Sequence, residues 1–154
     1  MYNFPDAPSL NQVVTGPGGI QYSWDGVKWA SVTPQGQQLS SPVVFVFGNK
    51  PASSAILSAP TPIPLTVPAN LSGTVVYDAT KATANAIFTV NKITAAGVTT
   101  ALGTVTVTPA SNVSATLAGA GGSLLAGDTL QVVAPSSQDA TLADVSITVL
   151  ALRA

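Results

Sequence analysis

The sequence predicts an all-β protein: an antiparallel, jelly-roll-like β-sandwich preceded by a small three-stranded β-meander. No window shows a convincing 3.6-residue apolar period, which an amphipathic helix requires. Thr and Val dominate, and Pro and Gly recur at short intervals, as is typical of many short strands joined by turns. Thr104–Thr108 alternates strictly, with its valines predicted inward and its threonines toward solvent. In 73–78, Val75 and Tyr77 are predicted to share one face.

The main domain is predicted to span residues 43–154 and to hold about eight strands, as a sandwich or jelly roll does. Val43–Phe47 is apolar throughout, which is consistent with a strand buried on both faces. Ile63–Val67 is predicted at a sheet edge because proline cannot donate to a ladder. Alanines at a four-residue spacing near 79–86 are compatible with one helical turn there. The predicted strands lie in 43–47, 63–67, 73–78, 84–93, 104–108, 113–117, 129–133 and 145–152.

Two further segments precede the main domain. Residues 1–32 are predicted to form a small aromatic module, and residues 33–42 a polar linker flanked by Pro34 and Pro42. A turn at Gly16–Gly19 separates the first two strands of the module. A unit of this size is marginal alone, so its aromatic face is expected to pack on the main domain, a sister subunit or another protein.

The module contains a strong hairpin signal at Asp25-Gly26. A type I′ turn needs positive φ at both central positions, which Asp-Gly supplies. That turn pairs Trp24 with Val27, Ser23 with Lys28 and Tyr22 with Trp29. It places the side chains of Tyr22, Trp24, Val27 and Trp29 on one face. The indole rings then have three interpretations: a mini-core, a sugar-binding platform or a subunit contact.

Charge and composition argue against several functions. Charged residues make up 7% of the chain and the formal net charge is −1, which offers no field to attract nucleic acid. Cys, His and Glu are absent, so the commonest general base and metal ligands are missing. We therefore expect no enzymatic activity, no cofactor and no metal. The chain has no apolar run of membrane-spanning length and no secretory signal, so a soluble protein is expected.

The carboxylates have ordinary structural explanations. Asp139 and Asp144 could form an acid–base pair or, with carbonyl groups, a Ca²⁺ site. We instead expect Asp139 in a turn, Asp144 at the start of the last strand and Asp128 in a strand-entry turn that binds nearby amides. Gly119–Gly122 has no lysine beside it and no helix after it, so it is predicted to be a flexible loop rather than a phosphate site.

Two stretches resemble tailed-bacteriophage virion proteins. The first runs from Phe4-Pro5 through Gln12 and Thr15–Gly19 to the Tyr22–Trp29 hairpin. It resembles a short module, FPxxP…GxxYxWDGxxW, found at the start of tail-fibre and related appendage proteins. The second covers 125–135 and 139–145, and is similar to the C-terminal β-domain of phage virion proteins.

The resemblance implies a virion structural protein on the exterior of the particle, with no catalytic residues. Such proteins commonly form homotrimers, attach by one end and display the other. It implies attachment to other virion proteins, and a host-surface glycan or receptor is a further expected partner. The first alternative to a tail-fibre or appendage protein is a capsid decoration (cement) or head-fibre protein. The second alternative is a carbohydrate-binding module. The residues assigned to attachment are Phe4, Pro5, Tyr22, Trp24 and Trp29.

Overall fold

The structure is a computed structural model that describes residues 4–16, 21–32 and 40–153. These residues form strands and turns without an α-helix, so the predicted all-β fold is confirmed. The chain divides into two compact units, Met1–Gln38 and Leu39–Ala154, called here the N-terminal and C-terminal units. Residues 33–39 of the predicted linker lie outside the described residues. Ser40 pairs with Leu152, so the last part of that predicted linker is paired within the C-terminal unit.

The N-terminal unit is a three-stranded antiparallel meander, as predicted. Its strands are β1 (Val13–Thr15), β2 (Gln21–Trp24) and β3 (Trp29–Val32), in the order β1-β2-β3. Val13 pairs with Ser23 and Gln21 pairs with Val32, so β2 is the central strand. Of the turn predicted at Gly16–Gly19, all but Gly16 lies outside the described residues.

The C-terminal unit has eleven strands among its described residues and one 3-10 turn, Ala69–Leu71. The strands are β4 (Val43–Phe47), β5 (Ile56–Pro60), β6 (Leu65–Val67), β7 (Val75–Thr80), β8 (Ala86–Ile93), β9 (Thr99–Val107), β10 (Ala115–Ala118), β11 (Gly122–Leu124), β12 (Thr129–Val133), β13 (Ala143–Val149) and β14 (Leu152–Arg153).

Facing sheets build the core of the C-terminal unit. A five-stranded sheet has the order β10-β9-β8-β12-β5, and two three-stranded sheets have the orders β4-β13-β7 and β11-β6-β14. All pairings are antiparallel. The ring of Phe47 in β4 lies 5.3 Å from the ring of Phe88 in β8, which joins two sheets through their inner faces. The unit is therefore the predicted antiparallel β-sandwich.

Period-two alternation locates the inner faces correctly in the clearest strands. Val105 and Val107 of β9 are fully buried, whereas Thr104 and Thr106 are only partly buried. The inner face of β12 is likewise fully buried. Burying these valines removes apolar surface from water, and each contributes about 1.5–3 kcal/mol relative to an exposed position.

The burial prediction for β4 is wrong. Phe45 and Phe47 are buried, but Val44 and Val46 are 57% and 60% exposed. The sheet that contains this strand packs on the core with one face and exposes the other, so only alternate residues can be buried. An all-apolar run hides this alternation from sequence reasoning.

Two predictions of strand position are also wrong, and the helical turn left open near 79–86 does not form. The segment around Leu65–Val67 is not an edge strand: β6 pairs with both β11 and β14, and its flanking prolines lie just outside it. The strand predicted at 145–152 is divided in two. β13 ends at Val149, and Leu152 belongs to β14, where it pairs with Thr66 of β6. Residues 81–85 form a bend between β7 and β8 rather than a helical turn.

The glycine-rich segment is held in place, contrary to the predicted flexible loop. Gly121 donates its N–H to the Leu102 carbonyl at 3.0 Å, and Asn70 donates to the Gly119 carbonyl at 2.7 Å. Gly121 has a φ of +66°, and a Cβ there would lie 2.4 Å from the carbonyl oxygen of Val67. Glycine is required because both the backbone conformation and the close approach exclude a side chain.

We expect Gly121→Ala to destabilise the C-terminal unit more than Gly97→Ala does. Gly97 has a φ of +82°, and no heavy atom lies within 4 Å of the position that a Cβ would occupy, so its alanine variant reports the backbone strain alone, about 1–2 kcal/mol. Gly121→Ala adds a steric clash of roughly 1–3 kcal/mol. Urea unfolding followed by circular dichroism measures both free energies. Equal losses would show that the Gly121–Val67 approach is absent in solution.

Candidate docking surface of the N-terminal unit

Four aromatic rings meet on the N-terminal unit and are called here the aromatic cluster: Phe4, Tyr22, Trp24 and Trp29. The Phe4 ring stacks on Trp29 with centroids 5.2 Å apart and contacts Tyr22 edge-on at 5.1 Å. The Trp24 and Trp29 rings lie 5.6 Å apart in a tilted arrangement. Each such pair contributes about 0.5–1.5 kcal/mol beyond its buried area. The structure thus brings together four of the five residues assigned to attachment.

The hairpin register differs from the predicted one by two residues. Trp24 pairs with Trp29 and Tyr22 with Ser31, so the loop spans residues 25–28 rather than two residues. Val27 was predicted to lie on the aromatic face, but it lies in the loop and is 83% exposed. The longer loop sets the two indole rings directly opposite each other, which the predicted register does not.

Asp25 explains the longer loop. Its Oδ1 accepts the N–H groups of Val27 and Lys28, both at 2.8 Å, and its own N–H donates to the Lys28 carbonyl at 3.2 Å. Gly26 has a φ of +100°, whereas Asp25 does not adopt the positive φ that a type I′ turn needs. The amides of Lys28 and Val27 lower the pKa of the Asp25 carboxyl below its ordinary value.

Trp24 is anchored through its backbone as well as its ring. Its N–H donates to the Gln12 carbonyl at 3.0 Å, and its carbonyl accepts the Asn11 N–H at 2.9 Å. Gln12 in turn closes a turn on Ser9, through its N–H to the Ser9 carbonyl and its side-chain oxygen to the Ser9 N–H. The segment preceding β1 therefore pairs with the end of β2.

The ring of Phe4 packs on Tyr22 and Trp29 of the same unit. Pro5 is exposed. All four rings of the aromatic cluster are only partly buried, and no apolar side chain described in the N-terminal unit is fully buried. The rings thus form an apolar surface that is only partly covered.

In the C-terminal unit, Asp139 and Asp144 hold loops together through hydrogen bonds to backbone amides. Asp139 accepts the amides of Thr83, Ala84, Thr141 and Leu142, and Asp144 accepts the Asn49 amide at 2.7 Å. The two carboxylates thus accept amides from different loops. Each acts as an acceptor for backbone N–H groups, and the two do not bind each other. Desolvation raises the pKa of Asp139, but hydrogen bonds from Thr141, Leu142 and Thr83 outweigh it and hold the pKa well below its ordinary value.

Asp128 also acts as expected. Its two carboxylate oxygens accept the Leu125 N–H at 2.9 Å and the Ala95 N–H at 3.2 Å. Within the described ranges, no three acidic, cysteine or histidine side chains cluster as a metal site would require.

Sequence reasoning missed Asp78, a buried acid on the inner face of β7. It is 0% exposed, and neither carboxylate oxygen has a hydrogen-bond partner. Burial raises the pKa of this carboxyl, against the smaller lowering effects of its own amide and of Lys81. The sequence signal was the alternation of 73–78, which places Asp78 opposite the exposed Val75 and Tyr77.

No family model matches the chain, and no curated protein or solved structure matches it. No helix in the described part of the chain is long and apolar enough to cross a membrane. The function must therefore be argued from the aromatic cluster and the sandwich themselves.

We expect Asp25→Ala to loosen the Tyr22–Trp29 hairpin, because two loop amides lose their acceptor. The near-ultraviolet circular dichroism of the Trp24–Trp29 pair should weaken and melt at a lower temperature. A lowered pKa means that Asp25 stabilises the fold above pH 3.8 and loses this effect as the pH falls through its folded-state pKa. Asp6→Ala, an exposed acid, is the control and should leave the signal unchanged. A hairpin signal insensitive to Asp25→Ala would disprove the loop capping.

Asp78→Asn and Asp139→Asn should shift stability in opposite directions at pH 7. Asp78→Asn replaces a buried carboxyl that has no hydrogen-bond partner by a group that cannot ionise, and should raise the free energy of unfolding by about 1–3 kcal/mol. Asp139→Asn weakens charge-assisted hydrogen bonds and should lower it by a similar amount.

The two variants should also differ in their response to acid. The raised pKa of Asp78 means that wild type gains stability as the pH falls from its folded-state pKa to 3.8, so the advantage of Asp78→Asn shrinks over that range. The lowered pKa of Asp139 means that its stabilisation is present above pH 3.8 and is lost below it. Thermal melts between pH 2 and pH 8 measure both trends, and parallel curves for the two variants would contradict the assignment.

Proposed function

We propose that this chain is a structural component of a bacteriophage virion: a tail-fibre or tail-associated appendage protein on the exterior of the particle. In this proposal the N-terminal unit docks on another virion protein, and the C-terminal β-sandwich is displayed. The observation that carries the proposal is the aromatic cluster, a set of partly exposed rings on a unit whose described residues include no fully buried apolar side chain. The resemblance of the same residues to phage appendage modules supports it.

The chemistry of the cluster suits protein docking. Tyr and Trp are enriched where interfaces concentrate their binding energy, because a large ring buries much apolar area at a small cost in side-chain entropy. The backbone hydrogen bonds of Trp24 and the stacking of Phe4 on Trp29 hold the rings before a partner arrives. A preformed surface loses less entropy on binding than a flexible arm does.

The C-terminal unit supports a structural role in a different way. Asp128, Asp139 and Asp144 all accept backbone amides, so these acids stabilise loops rather than offering free acid–base groups. A host glycan or receptor as the ligand of the displayed sandwich, and a homotrimeric assembly, remain predictions from the resemblance.

The test uses purified full-length chain and particles of the phage that encodes it. We expect the gold-labelled chain to bind at the tail in a few copies per particle. Trp24→Ala should weaken binding to isolated tails at least about tenfold, as loss of an interface anchor does. Val13→Ala is the matched control, because Val13 pairs with Ser23 and lies on the opposite face of the same sheet.

If the gold-labelled chain instead binds the capsid lattice in many copies, the tail-fibre proposal is wrong and the capsid decoration or head-fibre alternative is supported. Equal losses for Trp24→Ala and Val13→Ala would show that the aromatic cluster is not the docking surface. Circular dichroism of both variants establishes that the fold is intact before either comparison is made.

A further inference from the structure

A buried carboxyl without a hydrogen-bond partner lies between the facing sheets of the C-terminal unit. Asp78 points inward from β7, in the same cross-strand row as the buried side chains of Val145 and Phe47. It is 0% exposed, and neither of its carboxylate oxygens accepts a hydrogen bond. An ionised carboxylate needs water or hydrogen-bond donors, so this environment favours the neutral acid.

One loop covers Asp78 at the edge of the sandwich. It consists of residues 108–114, connects β9 to β10, and is called here the covering loop. Both of these strands belong to the five-stranded sheet, yet the loop binds β7 of the other sheet. The Asp78 N–H donates to the Asn112 carbonyl at 2.9 Å, and the Asn112 side-chain amide donates to the Asp78 carbonyl at 2.6 Å. The loop therefore spans the gap between two sheets beside the buried acid.

The strand on the other side of Asp78 is held more firmly than the covering loop. β13 is the central strand of its sheet and pairs with both β4 and β7. By contrast, every hydrogen bond described between the covering loop and β7 involves Asn112, whose side-chain amide also donates to the Ala79 carbonyl at 3.1 Å. Lifting the loop breaks few bonds, whereas separating β7 from β13 breaks a whole ladder. Local opening at a low free energy is therefore expected at the loop.

The charged groups around Asp78 do not offset its burial. The covering loop and β4 contain no charged residue. Asp144, the charged residue of β13, is exposed, and Lys92, the charged residue of the five-stranded sheet, donates to a backbone carbonyl. Lys81 is exposed in the bend after β7, and it lowers the pKa of Asp78 less than burial raises it.

We propose that the covering loop opens and closes with pH, and that the charge of Asp78 drives this motion. Ionisation leaves a buried carboxylate without partners, and water reaches that carboxylate when the loop lifts from β7. Protonation removes the need for water, so the loop returns to β7. The proposal concerns the C-terminal unit and does not depend on the function proposed for the N-terminal unit.

The direction of the effect follows from the two states of the acid. When the loop is open, Asp78 is hydrated and has its ordinary pKa of 3.8, whereas burial raises its pKa when the loop is closed. Opening therefore releases a proton over the pH range between these two values. The equilibrium constant for opening should rise by about tenfold per pH unit across that range and stay constant above and below it.

Hydrogen exchange of the full-length protein, measured by NMR from about pH 3 to pH 8, tests the proposal. The Asp78 amide donates to Asn112 and reports on the loop, whereas the Ile147 amide in the middle of β13 reports on global unfolding. After correction for intrinsic exchange rates, the Asp78 amide should be less protected than the Ile147 amide. Its protection should fall by about tenfold per pH unit over the titration range. The carboxyl carbon of Asp78 should titrate above pH 3.8.

Two variants separate the acid from the loop. Asp78→Asn cannot ionise, so the amide at position 78 should keep the same protection at every pH. Asn112→Ala removes both side-chain bonds to β7, so the Asp78 amide should lose about tenfold in protection and the carboxyl should titrate closer to pH 3.8. Ser111→Ala is the control in the same loop and should change neither property, because the described bonds between loop and β7 do not involve Ser111.

Three outcomes would overturn the proposal. Equal protection of the Asp78 and Ile147 amides, with the same pH dependence, would show that the acid meets water only on global unfolding. A pH dependence that persists in Asp78→Asn would assign the opening to another group. An Asp78 carboxyl that titrates at pH 3.8 or below in the wild type would show that it is hydrated while the loop is closed.

Discussion

The contact between Phe47 and Phe88 joins the two layers on which the C-terminal unit depends. A sheet with one face in solvent can bury only alternate residues, so the opposite sheet must supply the rest of the core. The fully buried side chains of β8, β9, β12 and β13 meet in this space. Because charged residues are scarce, apolar packing and backbone hydrogen bonds carry the stability of this unit.

The few acids then have a specialised structural role. Asp128 and Asp139 each join segments far apart in the chain by accepting their amides, so two loops of the sandwich depend on single carboxylates. Asp78 is the exception, since its carboxylate is buried without a donor. Leaving this buried carboxyl without a hydrogen-bond partner costs stability, because an apolar environment cannot replace the water it loses on folding.

The aromatic cluster is the proposed docking surface of the N-terminal unit. The aromatic cluster presents preformed rings, whose affinity comes from buried apolar area. This surface was visible in the sequence as the Tyr22–Trp29 pattern.

The sequence by itself determined the all-β class, the meander and the inward residues of strands such as β9, because period-two alternation and turn residues act locally. It identified Tyr22, Trp24 and Trp29 as one surface but not their register, which the side chain of Asp25 sets by capping Val27 and Lys28. Only the tertiary structure decided which face of Val43–Phe47 is buried, that β6 is central, and that Asp78 has no partner. Those outcomes depend on which strands become neighbours, and strand pairing between distant segments leaves no local pattern to read.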